Sequence, residues 1–472
     1  MGEFLAFVVG WNVLLENILA TSAVTQACGS YIDSLTGGAI SNFIGEYIGF
    51  LTRPEALHVN NNVTSVADDV GQLGLDAPFL NNVPQLLVIP IMMAFVLVLL
   101  LGTTGSSTVG NILCGLNIAM LLVIIGIGLW KGRLNNWTDP QTGGFLPRGW
   151  HGVFSAASMC FFSYGGFDAI SASAEEAKNP RRSLPIAIMS AMLTVTVLYV
   201  GVAASFTLLS NWSTLSSVDG FPETMRSNGI YWAQYLVTVG ALCGMTTVGV
   251  VTLYTIARAA MSMAEDGLLC TVFANVWNRS QVPAYSTLIF AAISATIAVL
   301  FRIESIIDML SIGTLMSYMT VTCGLVVYRY AGTTLPSPLR LRYVRPLESV
   351  LSSVVDQRLF IYLNLNVIIW TSLALSFFVQ GSWTDPTYIV PGLLASLLVA
   401  ATLLLTLLDE TPDSCSTYKM PLMPWLAVIS VVIDAVLMST MSVITWIRLA
   451  VWLVAGTLMY TIYGLQHSKL SR

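Results

Sequence analysis

Residues 160–185 read CFFSYGGFDAISASAEEAKNPRRSLP, and the rest of the chain is interpreted around them. The stretch begins as an apolar helix, but Gly165, Gly166 and Asp168 stand where a lipid-facing helix would carry leucine. A glycine pair there frees backbone N–H and C=O groups. Irregular backbone at membrane depth is tolerated only where protein or a water-filled cavity surrounds it. The stretch therefore predicts a broken helix inside a membrane protein.

The composition of the chain also favours a membrane protein. Of its 472 residues, 55% are hydrophobic and only 10% are charged, whereas soluble domains carry roughly 25% charged residues. The basic residues form no stripe, so nucleic-acid binding is not expected. The cysteines and histidines have no metal-ligand spacing, and the sequence shows no catalytic triad or phosphate-binding loop. We expect no cofactor and no enzymatic activity.

Twelve apolar runs are long enough to cross about 30 Å of hydrocarbon. They span residues 4–29, 86–103, 108–131, 150–175, 184–209, 230–257, 284–301, 307–329, 358–380, 387–408, 421–438 and 444–465. We therefore predict an all-α polytopic membrane protein with about 12 transmembrane helices. Residues 258–283 are expected to form an amphipathic helix at the membrane interface. Residues 331–357, rich in proline and arginine, are expected to be a cytoplasmic linker between a core (1–330) and a four-helix C-terminal region (358–472).

The loops predict the orientation of the chain. An even number of helices puts both termini on one side, and placing them in the cytoplasm leaves most basic residues in inner loops. Asn62 and Asn211 then lie in outer loops, each within an Asn-x-Ser/Thr triplet. We expect both to be glycosylation acceptors.

Polar residues within the apolar runs are the candidates for a binding site. An ionisable side chain in a membrane usually faces a cavity or a partner, and transporters bind substrate at broken helices. Asp168 and the glycine pair therefore predict a substrate cradle; alternatively, the pair allows close packing and Asp168 caps the second half-helix. Asn117 could line a cavity or bond across helices. The hydroxyls of Thr246 and Thr247 could line a cavity or hydrogen-bond back to the backbone of their own helix.

Two further acids lie within apolar runs. Glu16 is expected to form a structural hydrogen bond with a neighbouring helix. Asp434 receives no role from the sequence.

Five segments, in this order, resemble the cationic amino acid transporter family of the amino acid–polyamine–organocation superfamily. They are residues 10–24, 161–188, 257–269, 309–318 and 445–468. The resemblance covers nearly the whole chain, and residues 416–468 are similar to the family's C-terminal domain. It implies a five-plus-five inverted-repeat transporter core followed by four C-terminal helices.

The resemblance also implies roles for single residues. The carbonyl groups of Phe162, Ser163 and Gly165 would hold the substrate's amino group, and Phe167 would pack as a gate. Asn117 stands where proton-coupled bacterial relatives carry a lysine, which favours facilitated diffusion. The chain departs from the family pattern in two places. Gly165 stands where the family has a valine before its glycine, and Val251–Thr252 stand where the family has Gly-Ser.

The family has fourteen helices, and this chain begins at what resembles the third. The glycine-rich first broken helix, which would bind the substrate's carboxylate, has no counterpart in the 472 residues. We therefore expect an N-terminally truncated core and a fragment that does not transport on its own.

The function implied by the resemblance is sodium-independent transport of arginine, lysine or ornithine across the plasma membrane by alternating access. Its partners would be the amino acid and the lipid bilayer. One alternative is a carrier of neutral amino acids, since no pocket acid is assigned to a cationic side chain. Another is a non-transporting amino acid sensor on the same fold. No obligatory protein partner is expected, because no outer-loop cysteine is placed to link one.

Overall fold

The structure is a computed structural model that describes most of the chain. The described residues are 3–47, 80–81, 84–100, 103–138, 144–167, 170, 179–211, 220–275, 283–331, 357–380, 389–408 and 420–468.

In the described part of the chain, twelve helices of 13 or more residues, labelled α1 to α12, correspond one to one to the twelve predicted apolar runs. They are α1 Glu3–Leu35, α2 Val88–Leu100, α3 Thr103–Lys131, α4 Gly149–Ser163, α5 Pro180–Leu209, α6 Tyr231–Glu265, α7 Ala284–Leu300, α8 Ile303–Ala331, α9 Gln357–Gln380, α10 Ile389–Thr406, α11 Trp425–Ser439 and α12 Val443–Met459. Shorter helices include Ala39–Tyr47 and Gly220–Ser227 in connecting segments, and a π-helical turn, Tyr460–Gly464, that follows α12.

The helices have the length and composition of membrane spans. Among the described residues, seven are long and apolar enough to cross a membrane: α1, α3, α5, α6, α8, α9 and α12. Four shorter helices, α2, α7, α10 and α11, are also apolar. The predicted all-α polytopic membrane fold is confirmed.

The prediction of a separate amphipathic helix over 258–283 was wrong. α6 continues without interruption and ends at Glu265. Two residues later, Gly267 has a φ of +80°, a left-handed conformation that is common just after a helix C-terminus. The continuation is held by packing, because Ala260, Met263 and Ala264 are buried in the same apolar cluster as residues of α1. A short 3₁₀ helix, Thr271–Ala274, follows.

α1 is the central helix of the bundle. It packs against α2, α6, α7, α8 and α12. Small polar residues let α7 approach closely: Ser22 Oγ donates to the Ser294 carbonyl at 2.9 Å, and Ser294 Oγ donates back to the Ile18 carbonyl at 3.2 Å. Such hydrogen bonds satisfy polar groups that lipid could not.

The C-terminal helices pack around α8. A single apolar cluster joins residues of α8, α9, α10, α11 and α12, with Phe161 of α4 packed against it. α4 is thereby held against α8 and α11. This packing fixes the position of α4, the helix that leads into the glycine pair.

Candidate substrate-binding site

The helix carrying the glycine pair is broken where the sequence predicted. α4 ends at Ser163, a turn covers residues 164–166, and helical conformation is present again at Phe167. Tyr164 N–H donates to the Phe161 carbonyl at 3.1 Å, closing the last turn. Gly166 has φ +111°, a conformation that L side chains rarely adopt. Within the part of the chain that the structure describes, no heavy atom lies within 4 Å of a Cβ built there, so the backbone borders open space.

Aromatic rings flank the break. Tyr318 of α8 contacts Phe161 before it and Phe167 after it, with ring centroids 5.6 Å and 5.1 Å apart. Tyr164 within the turn meets Tyr199 of α5 edge-on at 5.6 Å. The break is therefore bounded by rings from three helices. Backbone carbonyls beside aromatic faces can hold an ammonium or guanidinium group by hydrogen bonds and cation–π attraction.

Asn117 and Thr247 lie at a different interface, between α3 and α6. A Cβ at Gly244 of α6 would be 2.7 Å from Asn117 Nδ2, so the amide packs directly on that glycine. Thr247 faces Gly110 of α3, where a built Cβ would lie 3.9 Å from Thr247 Cγ2, an ordinary van der Waals contact. The structure thus brings these two predicted residues to one interface, while Ser163, Gly165 and Gly166 belong to α4 and the turn that follows it.

The threonine hydroxyls are used within their own helix. Thr246 Oγ1 donates to the Leu242 carbonyl at 2.7 Å, and Thr247 Oγ1 donates to the Cys243 carbonyl at 3.0 Å. Threonine bonding back to its helix is one of the two roles left open by the sequence. Each oxygen keeps lone pairs that can accept another hydrogen bond.

Thr252, which stands where the family has serine and keeps a hydroxyl, has a structural role. Thr252 of α6 is hydrogen-bonded through Oγ1 to Thr21 Oγ1 of α1 at 2.8 Å. The hydroxyl at this position therefore ties the central helix to α6. Glu16, one turn and a half before Thr21, is also buried in α1.

Some predicted residues lie outside what the structure describes. These are Asp168, the glycosylation candidate Asn62, and the side chain of Phe162. Their proposed roles stay predictions.

Sequence reasoning missed Tyr318, Tyr164 and Tyr199 as neighbours of the break. Tyr318 closes the segment MLSIGTLMSY at 309–318, which carried the family resemblance but received no role from it. An aromatic residue in an apolar run looks the same whether it faces lipid or a binding site, so only the helix packing could place it.

Comparison with known proteins identifies the family. The family described as amino acid permease matches residues 1–389, and the family described as the C-terminus of amino acid permease matches residues 418–468. The chain belongs to the amino acid permease family. It is a membrane transporter of amino acids and not an enzyme, and its relatives place it with the cationic amino acid transporters.

Three relatives illustrate the range of similarity. Human cationic amino acid transporter 4 is 30% identical over 99% of this chain and 76% of its own length. The branched-chain amino acid permease BcaP of Bacillus subtilis is 31% identical over 71% of this chain and 66% of its own length. The vacuolar cationic amino acid transporter 4 of Arabidopsis thaliana is 26% identical over 100% of this chain and 80% of its own length.

Proposed function

We propose that this amino acid permease carries cationic amino acids, namely arginine, lysine or ornithine, by sodium-independent facilitated diffusion with alternating access. The observation that carries the proposal is the break after α4, where the backbone at Gly166 borders open space beside aromatic rings. The carbonyls of Phe162, Ser163 and Gly165 would accept hydrogen bonds from the substrate's amino group, as in other transporters with broken helices. Asp168 would add a negative charge at the start of the second half-helix.

The aromatic wall supports a cationic substrate. The Tyr318 and Phe167 rings are in contact beside the break, with centroids 5.1 Å apart. A guanidinium or ammonium over such a ring gains about 0.5–2 kcal/mol. The names of the human and Arabidopsis relatives point the same way. Asn117, where proton-coupled relatives carry a lysine, supports facilitated diffusion.

Uptake of radiolabelled arginine and leucine tests the proposal. Cells would express the protein, and uptake would be measured with and without sodium. We expect saturable arginine uptake that does not require sodium. Arginine uptake that is abolished when sodium is removed, or that does not exceed the uptake of cells lacking the protein, would contradict the proposal.

Substitution of Tyr318 tests the aromatic wall in the same assay. Tyr318→Leu removes the ring between Phe161 and Phe167 and should lower arginine uptake several-fold more than leucine uptake. Tyr318→Phe keeps the ring and should retain most of the activity. The control is Tyr328→Leu on the same helix, because Tyr328 is 67% exposed on the outer face of α8. Two results would contradict a cation-binding wall. One is that Tyr318→Leu lowers arginine and leucine uptake equally, and the other is that Tyr328→Leu lowers arginine uptake as much as Tyr318→Leu does.

Two alternative functions can be tested separately. A carrier of neutral amino acids is favoured by the similarity to a branched-chain permease, and competition of leucine against lysine uptake would reveal it. A non-transporting sensor would bind arginine without moving it. Saturable arginine binding by the purified protein, without uptake, would identify that function.

We also propose that both termini are cytoplasmic, that the protein resides in the plasma membrane, and that Asn62 and Asn211 are glycosylated. Asn211 directly follows the end of α5, which suits a loop at the membrane surface. Replacing each asparagine with glutamine should remove a glycosidase-sensitive shift in gel mobility. A vacuolar relative makes an internal membrane the competing outcome, and imaging of a tagged protein decides between the two membranes.

The division of the chain into a core (1–330), a linker (331–357) and a four-helix C-terminal region (358–472) is likewise proposed. Limited proteolysis of the purified protein should cut first within 331–357. Earlier cleavage between other helices would contradict this division.

A further inference from the structure

Asp434 is a buried acid that the proposed transport site does not use. It lies in the middle of α11, on the face that also presents Ala427, Val431 and Met438 to the C-terminal core. The residue is 5% exposed, and its buried Oδ2 atom has no hydrogen-bond partner. Among the described residues, none forms an ion pair with it.

Two neighbouring helices place polar groups at the same depth. Cys323 of α8 is near enough to Asp434 for their charges to interact. Gln357 Nε2 at the start of α9 donates to the Tyr330 carbonyl at the end of α8, at 2.7 Å, so the two helices run antiparallel from that contact. Cys323 and Asn364 each lie seven residues from it, about 10 Å along their helices.

Asn364 also lies on the correct face of its helix. Residues seven apart point the same way on an α-helix, so Asn364 shares the side of α9 from which Gln357 reaches α8. Asn364 is 6% exposed, and its Oδ1 has no hydrogen-bond partner. The interior between α8, α9 and α11 therefore contains two buried oxygen acceptors, Asn364 Oδ1 and Asp434 Oδ2, that lack a donor.

The charged groups of the packed helices lie towards helix ends. Arg329 and Arg358 are at the end where α8 meets α9, and Arg448 of α12 interacts with Asp308 near the start of α8. Among the described side chains, the other titratable groups on the helices packed against α11 are Tyr318, Tyr328, Tyr330 and Glu304 of α8, Tyr362 of α9, and Cys160 of α4. Of these described groups, Cys323 is the one with an electrostatic interaction with Asp434.

An ionised carboxylate inside a membrane protein needs a cation, because leaving it unpaired costs several kcal/mol. A basic side chain does not fill that need here. A metal ion would require several further oxygen ligands, and the described residues contain no group of three or more acidic, histidine or cysteine side chains that could hold one. A proton binds to the carboxylate without any further ligand. The resulting O–H group is also a hydrogen-bond donor, which the neighbouring Asn364 Oδ1 lacks.

We propose that the C-terminal helices contain a proton-binding site formed by Asp434 of α11, with Asn364 of α9 and Cys323 of α8 as its polar neighbours. Asp434 holds the proton as a neutral carboxylic acid while the helices are packed, and exchanges it with water when they separate. The site is distinct from the break after α4. It is linked to that break, since α4 packs against α8 and α11 and Phe161 joins the same apolar cluster.

Infrared spectroscopy of the purified chain in lipid nanodiscs tests the proposal directly and does not require transport. A protonated carboxylic acid has a C=O stretch separate from the bands of ionised carboxylates. We expect such a band at neutral pH, shifted by ¹³C labelling of aspartate and lost in Asp434→Asn. The control Asp308→Asn, on α8, should keep the band. Absence of an aspartic acid band at neutral pH, or its persistence in Asp434→Asn, would overturn the proposal.

A second variant keeps the test decisive if Asp434→Asn does not fold. Asp434→Glu retains an acid at the same place, and its band should no longer respond to aspartate labelling. If the labelled aspartate band remains in Asp434→Glu, the proton is held by another residue and the proposal fails. Failure of arginine uptake would leave this result untouched, because the measurement reads Asp434 alone.

Discussion

At the scale of single residues, glycine decides how closely several helices approach. Gly128 of α3 faces Ser205 of α5, and a Cβ at Gly128 would lie 2.2 Å from Ser205 Cβ and 2.6 Å from Ser205 Cα. Backbone cannot yield as a long side chain can. Ser205 is also fixed by its own hydrogen bond to the Gly201 carbonyl at 2.8 Å.

We therefore expect Gly128→Ala to separate α3 from α5 and to destabilise the protein by about 1–3 kcal/mol, the usual cost of overpacking. Gly126→Ala is the matched control, two residues away on the same helix, where an added Cβ meets no atom within 4 Å. Thermal unfolding in detergent measures both. An equal melting temperature for the two variants would contradict the close contact.

The sequence could reveal some of these glycines and not others. A glycine pair beside an acid within an apolar run is unusual, and it predicted the break at Gly165–Gly166 correctly. Gly128 stands in a run with other glycines, and nothing in the sequence distinguishes it from Gly126. The difference comes from the neighbouring helix α5, which approaches Gly128 closely and does not approach Gly126.

At the scale of elements, the C-terminal ends of α4 and α6 show what the pattern of apolar residues cannot predict. The apolar run 150–175 continues past the glycine pair, yet α4 stops at Ser163 because backbone conformation, and not hydropathy, ends it. Conversely, α6 runs to Glu265 through residues polar enough to suggest a separate surface helix. Burial against α1 extends it, and that contact is a property of the fold.

The turn after α4 gives a prediction at this scale. Gly166→Ala places a side chain at φ +111°, where strain of about 1–3 kcal/mol is expected. The turn would move to relieve it, and the carbonyls beside it would lose their alignment with a bound substrate. We expect substrate affinity to fall about tenfold, measured as arginine binding by the purified protein.

The control for that substitution is Gly115→Ala on α3, which meets open space and has a helical conformation. It should bind arginine normally. If Gly166→Ala also binds normally while retaining its fold, the turn does not form part of the substrate site.

At the scale of the whole molecule, the apolar runs predicted all twelve helices because the thickness of a bilayer sets their length. They could not predict which helices are neighbours. Lipid and protein interiors are equally apolar, so a lipid-facing stripe and a buried stripe read alike in the sequence. The central position of α1 depends instead on small polar residues such as Ser22 and Thr21, whose partners lie more than two hundred residues away.

The attachment of α12 to α1 joins the two ends of the chain. Trp11 of α1 stacks on Trp452 of α12, with centroids 4.5 Å apart and planes 16° from parallel. Trp11 Nε1 also donates to the Trp452 carbonyl at 3.1 Å. Gly456 completes the contact, since a Cβ there would lie 2.5 Å from the Trp11 ring.

We expect Trp11→Ala to destabilise the protein by about 3–5 kcal/mol, because it removes a large packed side chain, a stacked ring and a hydrogen bond at once. Trp370→Ala on α9, where the ring is 68% exposed, should cost far less. Thermal unfolding in nanodiscs compares the two, and Trp11→Phe, which keeps a ring but loses the hydrogen bond, should fall between them. If Trp11→Ala has the same melting temperature as Trp370→Ala, the stacked pair does not secure α12 to α1.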